Sequence, residues 1–79
     1  MKATVFVRPK AGILDPQGQA ISGSLRQLGF AVEEARIGRV VDLELPDEDP
    51  EQAKADLERM CEQLLANPLI ESYEIKLEA

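Results

Sequence analysis

Two Asp-Pro dipeptides divide this chain into two halves of the same layout. Asp15-Pro16 and Asp49-Pro50 each precede a stretch in which apolar residues recur at helical spacing. An Asp side chain accepts hydrogen bonds from free N–H groups in the first turn of a helix, and the fixed φ of proline suits the first helical position. We therefore expect a helix to begin at each dipeptide.

The segments that flank the predicted helices alternate polar and apolar residues, as half-buried strands do. Residues 2–9 form the first such segment and residues 69–78 the last. Residues 31–45 are rich in β-branched side chains, and Gly38 near their centre is the expected turn between two further strands. The predicted order is strand, helix, strand, strand, helix, strand.

The second predicted helix, residues 49–66, is the clearest element of the sequence. Asp49 and Gln52 have the spacing of a capping box, and Asn67-Pro68 ends the helix. Its apolar stripe has a helical period. The stripe consists of Ala53, Leu57, Met60, Cys61, Leu64 and Leu65.

The first predicted helix, residues 15–28, is weaker. Gly29 ends it, and both Gly18 and Gly23 lie inside it, where each glycine costs roughly 1 kcal/mol relative to alanine. A glycine in the first turn has a purpose if another backbone or a ligand approaches closely, since it has no Cβ. Alternatively, Gly18 is tolerated in the helix without any such role.

Right-handed connections between these elements predict the split-βαβ, ferredoxin-like sandwich of the α+β class. We expect a four-stranded antiparallel sheet with two helices on one face, in a single domain over residues 1–79. A domain of this size buries only about two thirds of the surface that its unfolded chain exposes. Its aromatic residues are only Phe6, Phe30 and Tyr73, so we expect an aliphatic core and apolar surface shared with a partner subunit.

The composition excludes several classes of function. A net charge of −6 disfavours binding to nucleic acid and to anionic membranes, both of which need clustered Lys and Arg. The sequence offers no membrane span or signal peptide, which predicts a cytoplasmic protein. The absence of histidine and the single Cys61 exclude a disulfide framework, Cys/His metal sites and Ser-His-Asp or Cys-His catalysis.

The remaining chemical candidates have plainer explanations. Cys61 lies on the apolar stripe and is expected to pack in the core, and Tyr73 in the core or an interface. A metal site at Glu33-Glu34 is disfavoured because neighbours on a strand point to opposite faces. The acidic run Asp47-Glu48-Asp49 is more simply explained as a solvent-exposed segment before the second helix, where negative charge suits the helix dipole, than as a metal site. We expect no catalytic residues.

The predicted topology gathers several segments at one edge of the fold: the end of the first strand, the start of the first helix, the turn at Gly38 and the end of the second helix. Asp47, Glu48 and Asp49 go to the opposite edge. A helix N-terminus beside basic residues favours anions, so the edge is predicted to be a docking surface or an anion site, unless its cations are ordinary solubilising side chains. The candidate docking residues are Arg8, Lys10, Leu14, Asp15, Pro16, Gln17, Gly18, Arg36, Gly38, Arg39, Asn67 and Pro68.

Three segments together resemble the PurS family, the small accessory subunit of phosphoribosylformylglycinamidine (FGAM) synthase in purine biosynthesis. They are LDPQG at residues 14–18, ARIGR at 35–39 followed by VVDLEL, and MCEQLLANPLIESY at 60–73. The resemblance covers nearly the whole chain. Arg39 stands where a lysine is common in the family, which keeps the charge.

The resemblance implies a division of labour among three subunits. The enzyme converts formylglycinamide ribonucleotide, ATP and glutamine into FGAM, glutamate, ADP and phosphate. A large synthetase subunit performs the ATP chemistry, and a glutaminase subunit releases ammonia. The small subunit forms a homodimer or tetramer and holds the other two together while ammonia passes between them. It binds no cofactor or metal itself, whereas the complex uses ATP, Mg and glutamine.

This resemblance suggests that Gly18 is needed because the first turn meets a partner backbone. A stand-alone ACT-like domain that binds an amino acid near Asp15-Pro16-Gln17-Gly18 is the alternative function, since such domains share the βαββαβ order. A small phosphatase that cradles phosphate with Arg8 and a helix N-terminus is a third, although nothing in the sequence positions a water.

Overall fold

A computed structural model describes residues 1–46 and 49–78 as three strands and two helices. Asp47 and Glu48 lie outside the described residues, so of the acidic run placed at the opposite edge only Asp49 is described. In chain order the elements are β1 (Lys2–Pro9), α1 (Pro16–Gln27), β2 (Arg39–Glu44), α2 (Pro50–Met60) and β3 (Glu71–Glu78).

The sheet is antiparallel throughout, with strand order β2-β1-β3. Val5 of the central strand lies opposite Val41 on one side and Ile75 on the other. The predicted alternation of β1 is confirmed, because Ala3, Val5 and Val7 are buried while the even-numbered residues of the strand are not. The buried core cluster is Ala3, Val5, Val7, Leu57, Cys61 and Ala66.

The four-stranded sheet predicted from the sequence is wrong. Among the described residues the sheet has three strands, and residues 31–38 form neither strand nor helix. Gly38 is therefore not a hairpin turn, since it directly precedes β2. An alternating sequence is compatible with a strand, but a strand also needs an edge to pair with. The backbone of residues 35–37 instead contacts the start of α1.

The two predicted helices also differ in where they pack. α2 packs on the inner face of the sheet, whereas α1 has no comparable interface with the described strands or with α2. Within α1 only Gly18 and Ser22 are buried. The Cα radius of gyration of 15.8 Å exceeds the roughly 12 Å expected of a compact chain of this length. The monomer is therefore elongated, and α1 stands away from the core.

Helix α2 begins with a side-chain cap and continues at its other end as a π-helical turn. Asp49 caps it by accepting a hydrogen bond from the Glu51 backbone N–H at 3.1 Å. The bond comes from the second helical residue, and the Gln52 side chain donates to Asp56 instead of turning back, so Asp49 caps the helix without the predicted capping box. After Met60 the helix continues as a π-helical turn over Cys61–Leu65. No helix in the described part of the chain is long and apolar enough to cross a membrane.

The first helix ends as the sequence predicts, at Gly29. This glycine has φ +95°, a left-handed conformation that a Cβ would strain. Its N–H donates to the Arg26 carbonyl, and the N–H of Phe30 donates to the Leu25 carbonyl, both at 3.0 Å. These two bonds form a Schellman motif, which satisfies the last free carbonyls of the helix.

Truncating Leu57 tests how far this small core depends on α2. Leu57 is fully buried, whereas Leu64 in the following turn is 82% exposed. We expect Leu57→Ala to lower the free energy of unfolding by about 2–5 kcal/mol through lost burial and a cavity. Urea denaturation measures the loss, and Leu64→Ala is the matched control with little effect. Equal losses in the two variants would contradict this packing.

Candidate functional site

The segments predicted to meet at one edge are joined by hydrogen bonds. The Lys10 ammonium donates to the Pro68 carbonyl at 2.6 Å, which ties the end of β1 to the turn before β3. The Arg36 guanidinium donates to the carbonyls of Lys10 at 2.6 Å and of Pro9 at 3.2 Å. The segment before β2 therefore also meets the end of β1.

Asp15 is the centre of these contacts. One carboxylate oxygen accepts the Ile37 N–H at 2.8 Å, and the other accepts the Gly18 N–H at 3.0 Å. The bond from Ile37, then that from Gly18, together with the nearby Arg36 charge, lowers the pKa of the Asp15 carboxyl below its usual value. A carboxylate of the chain itself thus occupies the N-terminus of α1, which disfavours a bound anion there.

Gly18 is required by a close approach within the chain. A Cβ built at Gly18 would collide with the carbonyl oxygen of Ala35 and would lie 2.8 Å from a carboxylate oxygen of Asp15. The backbone that approaches the first turn therefore belongs to the same chain. This corrects the hypothesis that a partner's backbone explains the glycine.

Gly38 and Arg39 determine where the backbone joins the sheet at the start of β2. A Cβ at Gly38 would collide with the Val7 carbonyl, so only glycine fits where the chain joins the sheet. Arg39 makes two hydrogen bonds to the Glu71 carboxylate, at 2.8 and 3.0 Å, and one to the Leu65 carbonyl at 2.6 Å. It therefore crosses the end of β1 and ties β2 to the opposite edge strand and to the end of the π-helical turn.

Glu71 is a site residue that is not among the candidate docking residues. Its carboxylate also accepts the Asn67 N–H at 2.8 Å, and the Arg39 hydrogen bonds, followed by that of Asn67, lower its pKa. The two partners lie 32 residues apart, and local patterns carry no signal for a pairing at that separation.

The candidate residues thus fall into two groups. Asp15, Gly18, Gly38 and Arg39 hold the chain's own segments together. The others are exposed and form a surface, which we call the docking edge, although Lys10 and Arg36 within it also donate to carbonyls of the chain itself. It consists of Arg8, Lys10, Leu14, Pro16, Gln17, Arg36, Asn67 and Pro68.

The docking edge combines free charge with apolar side chains. The Arg8 side chain is exposed and has no hydrogen-bond or ion-pair partner among the described residues. Leu14 is 70% exposed, and the neighbouring Leu69, which the candidate set omits, is 83% exposed. Ile70 and Leu14 line a shallow groove of about 270 Å³. A surface of this kind suits a protein partner.

The rest of the chain offers little for catalysis. Cys61 is fully buried, as expected of a core residue, and burial together with nearby Glu58 and Glu62 raises the pKa of its thiol. Tyr73 packs half-buried against the core, and its pKa is likewise raised by burial. The described residues contain no cluster of acidic or sulfur side chains that could hold a metal.

Gly18 and Gly23 provide a matched pair of substitutions in one helix. Gly18→Ala places a Cβ against the Ala35 carbonyl, whereas a Cβ at Gly23 meets nothing within 4 Å. We expect Gly18→Ala to lower the free energy of unfolding by about 1–3 kcal/mol and Gly23→Ala to raise it by up to about 1 kcal/mol. Thermal unfolding measures both, and stabilisation by both variants would contradict the close approach.

The carboxylate of Asp15 predicts a dependence of stability on pH. Its pKa is lowered in the folded chain, so the stabilisation is complete above the unfolded pKa of about 4 and is lost as pH falls through the folded value. The difference in unfolding free energy between wild type and Asp15→Asn should be largest above that pH and shrink below it.

Denaturation at several pH values measures this difference. Glu33→Gln is the control, because Glu33 is exposed and makes no hydrogen bond with the described residues. A difference for Asp15→Asn that stays constant between pH 6 and pH 2 would contradict the role of the carboxylate.

Comparisons with known proteins agree on one family. The family model described as "PurS: Phosphoribosylformylglycinamidine (FGAM) synthase" matches residues 2–79. The PurS subunit of Methanocaldococcus jannaschii is 44% identical over 78 residues, which cover 98% of this chain and 94% of that protein. Its crystal structure has a TM-score of 0.85 with this chain.

Two further solved structures extend the likeness to the fold and to a complex. Bacillus subtilis PurS has a TM-score of 0.89 at 34% identity and covers 99% of this chain and 98% of its own. A chain of PurLQS from Thermotoga maritima has a TM-score of 0.85 at 34% identity, covering 95% of this chain and 93% of that chain. These matches span the full fold and leave the ACT-like alternative without support. The chain belongs to the PurS family of FGAM synthase subunits.

Proposed function

We propose that this chain is the non-catalytic accessory subunit of an FGAM synthase and that it holds the large synthetase subunit and the glutaminase subunit together. The observation that carries the proposal is the docking edge, an exposed basic and apolar surface on a chain of this family. Arg8 is free to pair with a partner carboxylate, and Leu14 and Leu69 are available for burial.

The hydrogen bonds beneath the edge support the same role. Asp15 and Arg39 fix the segments beneath it through hydrogen bonds of 2.6–3.0 Å. A surface that is already ordered loses little conformational entropy when a partner binds. The edge is therefore suited to setting the relative position of two larger subunits, between which ammonia passes.

The other two subunits carry out the chemistry. ATP and Mg are used by the synthetase subunit, glutamine is used by the glutaminase subunit, and this chain binds none of them. The complex is proposed to act in the cytoplasm.

The proposal includes self-association into a homodimer or tetramer. The apolar residues Ile21, Leu28 and Phe30, in and after α1, are 43%, 73% and 60% exposed, and α1 has no comparable interface with the described strands. Large apolar side chains gathered on one exposed element indicate a partner surface. A second copy of this chain is the proposed occupant.

Reconstitution tests the proposed function. The chain is mixed with the synthetase and glutaminase subunits of its own source, and glutamine-dependent FGAM formation is measured with and without it. We expect the activity and the co-elution of the three subunits to require this chain. Full activity and co-elution of the other two subunits alone would overturn the proposal.

Two charge reversals then locate the surface. Arg8→Glu lies on the docking edge and should weaken co-elution, because it repels a partner carboxylate. Lys54→Glu makes the same change of charge at an exposed position in the first half of α2, and should leave assembly intact. Equal effects of the two variants would contradict docking at this edge.

A further inference from the structure

Two arginines line one small groove at the end of β1, which we call the arginine groove. It has a volume of about 280 Å³ and is lined by Arg8, Pro9, Arg36, Ile37, Gly38 and Ser72. No acidic side chain of the described residues lines it, although the chain as a whole carries a net charge of −6. The groove is therefore a local concentration of positive charge on an acidic protein.

Neither guanidinium is neutralised by a carboxylate in the described part of the chain. Arg36 donates there only through Nη2, to the backbone carbonyls of Lys10 at 2.6 Å and of Pro9 at 3.2 Å. An arginine has further N–H groups on Nε and Nη1, so Arg36 is held in place while those groups remain available. Two such guanidinium groups at one groove favour a carboxylate, because hydrogen bonds between ionised partners are stronger than neutral ones.

Gly38 positions the side chain of Arg8 beside this groove. A Cβ built at Gly38 would lie 3.2 Å from Cγ of Arg8, so the aliphatic stem of Arg8 lies directly against the glycine. Arginine commonly packs its stem on the protein surface and keeps its charged end in water. The guanidinium of Arg8 is thereby presented at the surface by a stem that is already packed.

An apolar groove lies next to the arginine groove. It is the groove of about 270 Å³ at Leu14 and Ile70, whose side chains are 70% and 43% exposed. The two grooves have three lining residues in common, namely Pro9, Ile37 and Gly38. A partner segment that crosses these shared residues can place an acidic side chain in one groove and an apolar side chain in the other.

We propose that one segment of a partner subunit docks across both grooves, with an Asp or Glu carboxylate bound by Arg8 and Arg36 and a neighbouring large apolar side chain buried against Leu14. The inference rests on the proposed function and names the chemistry of the segment that the docking edge binds. Charge complementarity requires the acidic residue. The adjoining apolar groove favours a protein segment over a free anion, which would leave Leu14 exposed.

A neutral variant of Arg8 tests the charged half of the site. Isothermal titration of the chain into the synthetase and glutaminase subunits together gives its Kd. We expect Arg8→Gln to raise the Kd by about tenfold, through loss of a hydrogen bond to a charged group. Arg59→Gln is the matched control, because Arg59 is exposed in the last turn of α2, and should bind like wild type. Equal Kd values for the two variants would overturn the inference.

A polar variant of Leu14 tests the apolar half. Leu14→Ser should also raise the Kd by about tenfold, because the partner's apolar side chain loses its contact. Leu64 is 82% exposed and lines neither groove, so Leu64→Ser is the control. An unchanged Kd for Leu14→Ser would overturn docking across both grooves.

The double variant Arg8→Gln with Arg36→Gln tests whether both arginines bind one carboxylate. Residues that share a partner group give non-additive effects, so the combined increase in Kd should differ from the product of the two single increases. Increases that simply multiply would show that the arginines bind separate groups, which would overturn the shared carboxylate.

Other occupants give different results. Saturable binding of inorganic phosphate to the chain alone, lost in Arg8→Gln, would assign the arginine groove to a free oxyanion and overturn the inference. Weaker self-association of Arg8→Gln with an unchanged Kd for the other subunits would assign it to a second copy, with the same consequence.

Failure of this inference is distinguishable from failure of the proposed function. A wild-type chain that neither binds the other subunits nor is needed for glutamine-dependent FGAM formation would overturn both. If the wild-type chain is required, but Arg8→Gln and Leu14→Ser bind and support FGAM formation equally well, only the docking across the two grooves is wrong.

Discussion

The carboxylate of Asp15 is the interaction on which the outer part of this structure depends. It holds the first turn of α1 through Gly18 and the segment before β2 through Ile37, with bonds of 3.0 and 2.8 Å. Since α1 has no comparable interface with the described strands, this carboxylate and the close approach of Ala35 to Gly18 largely set its position. A capping residue, which usually stabilises one helix, here also sets where a second segment runs.

Arg39 has the corresponding role on the sheet. Its bonds to Glu71 and to the Leu65 carbonyl join both edge strands to the end of the π-helical turn across the end of β1. The internal hydrogen-bonding capacity of the site is therefore largely used within the chain, which leaves Arg8 and the exposed leucines as its available groups. Internal hydrogen bonds beneath a few exposed charged and apolar side chains suit a subunit that binds proteins. The chain belongs to a family of FGAM synthase subunits, which agrees with such a surface.

The candidate site was predictable in its location, but only partly in its roles. The order of strands and helices placed Lys10, Arg36 and Pro68 at one edge, and their hydrogen bonds confirm that these segments meet there. The sequence could not reveal that Gly18 faces Ala35 or that Arg39 pairs with Glu71, because both contacts join residues distant along the chain. Leu69 was overlooked because burial, which decides whether a leucine is available, is a tertiary property.

What the sequence determined by itself is local. Asp15 and Asp49 start the helices, Gly29 ends α1 and the alternation of β1 selects its buried face, because capping, left-handed φ and side-chain period depend on neighbouring residues. Only the tertiary structure decided that residues 31–38 do not pair as a strand and that α1 stands away from the core. A strand exists only where an edge receives it, and here the backbone of residues 35–37 is held against α1, which leaves a sheet of three strands.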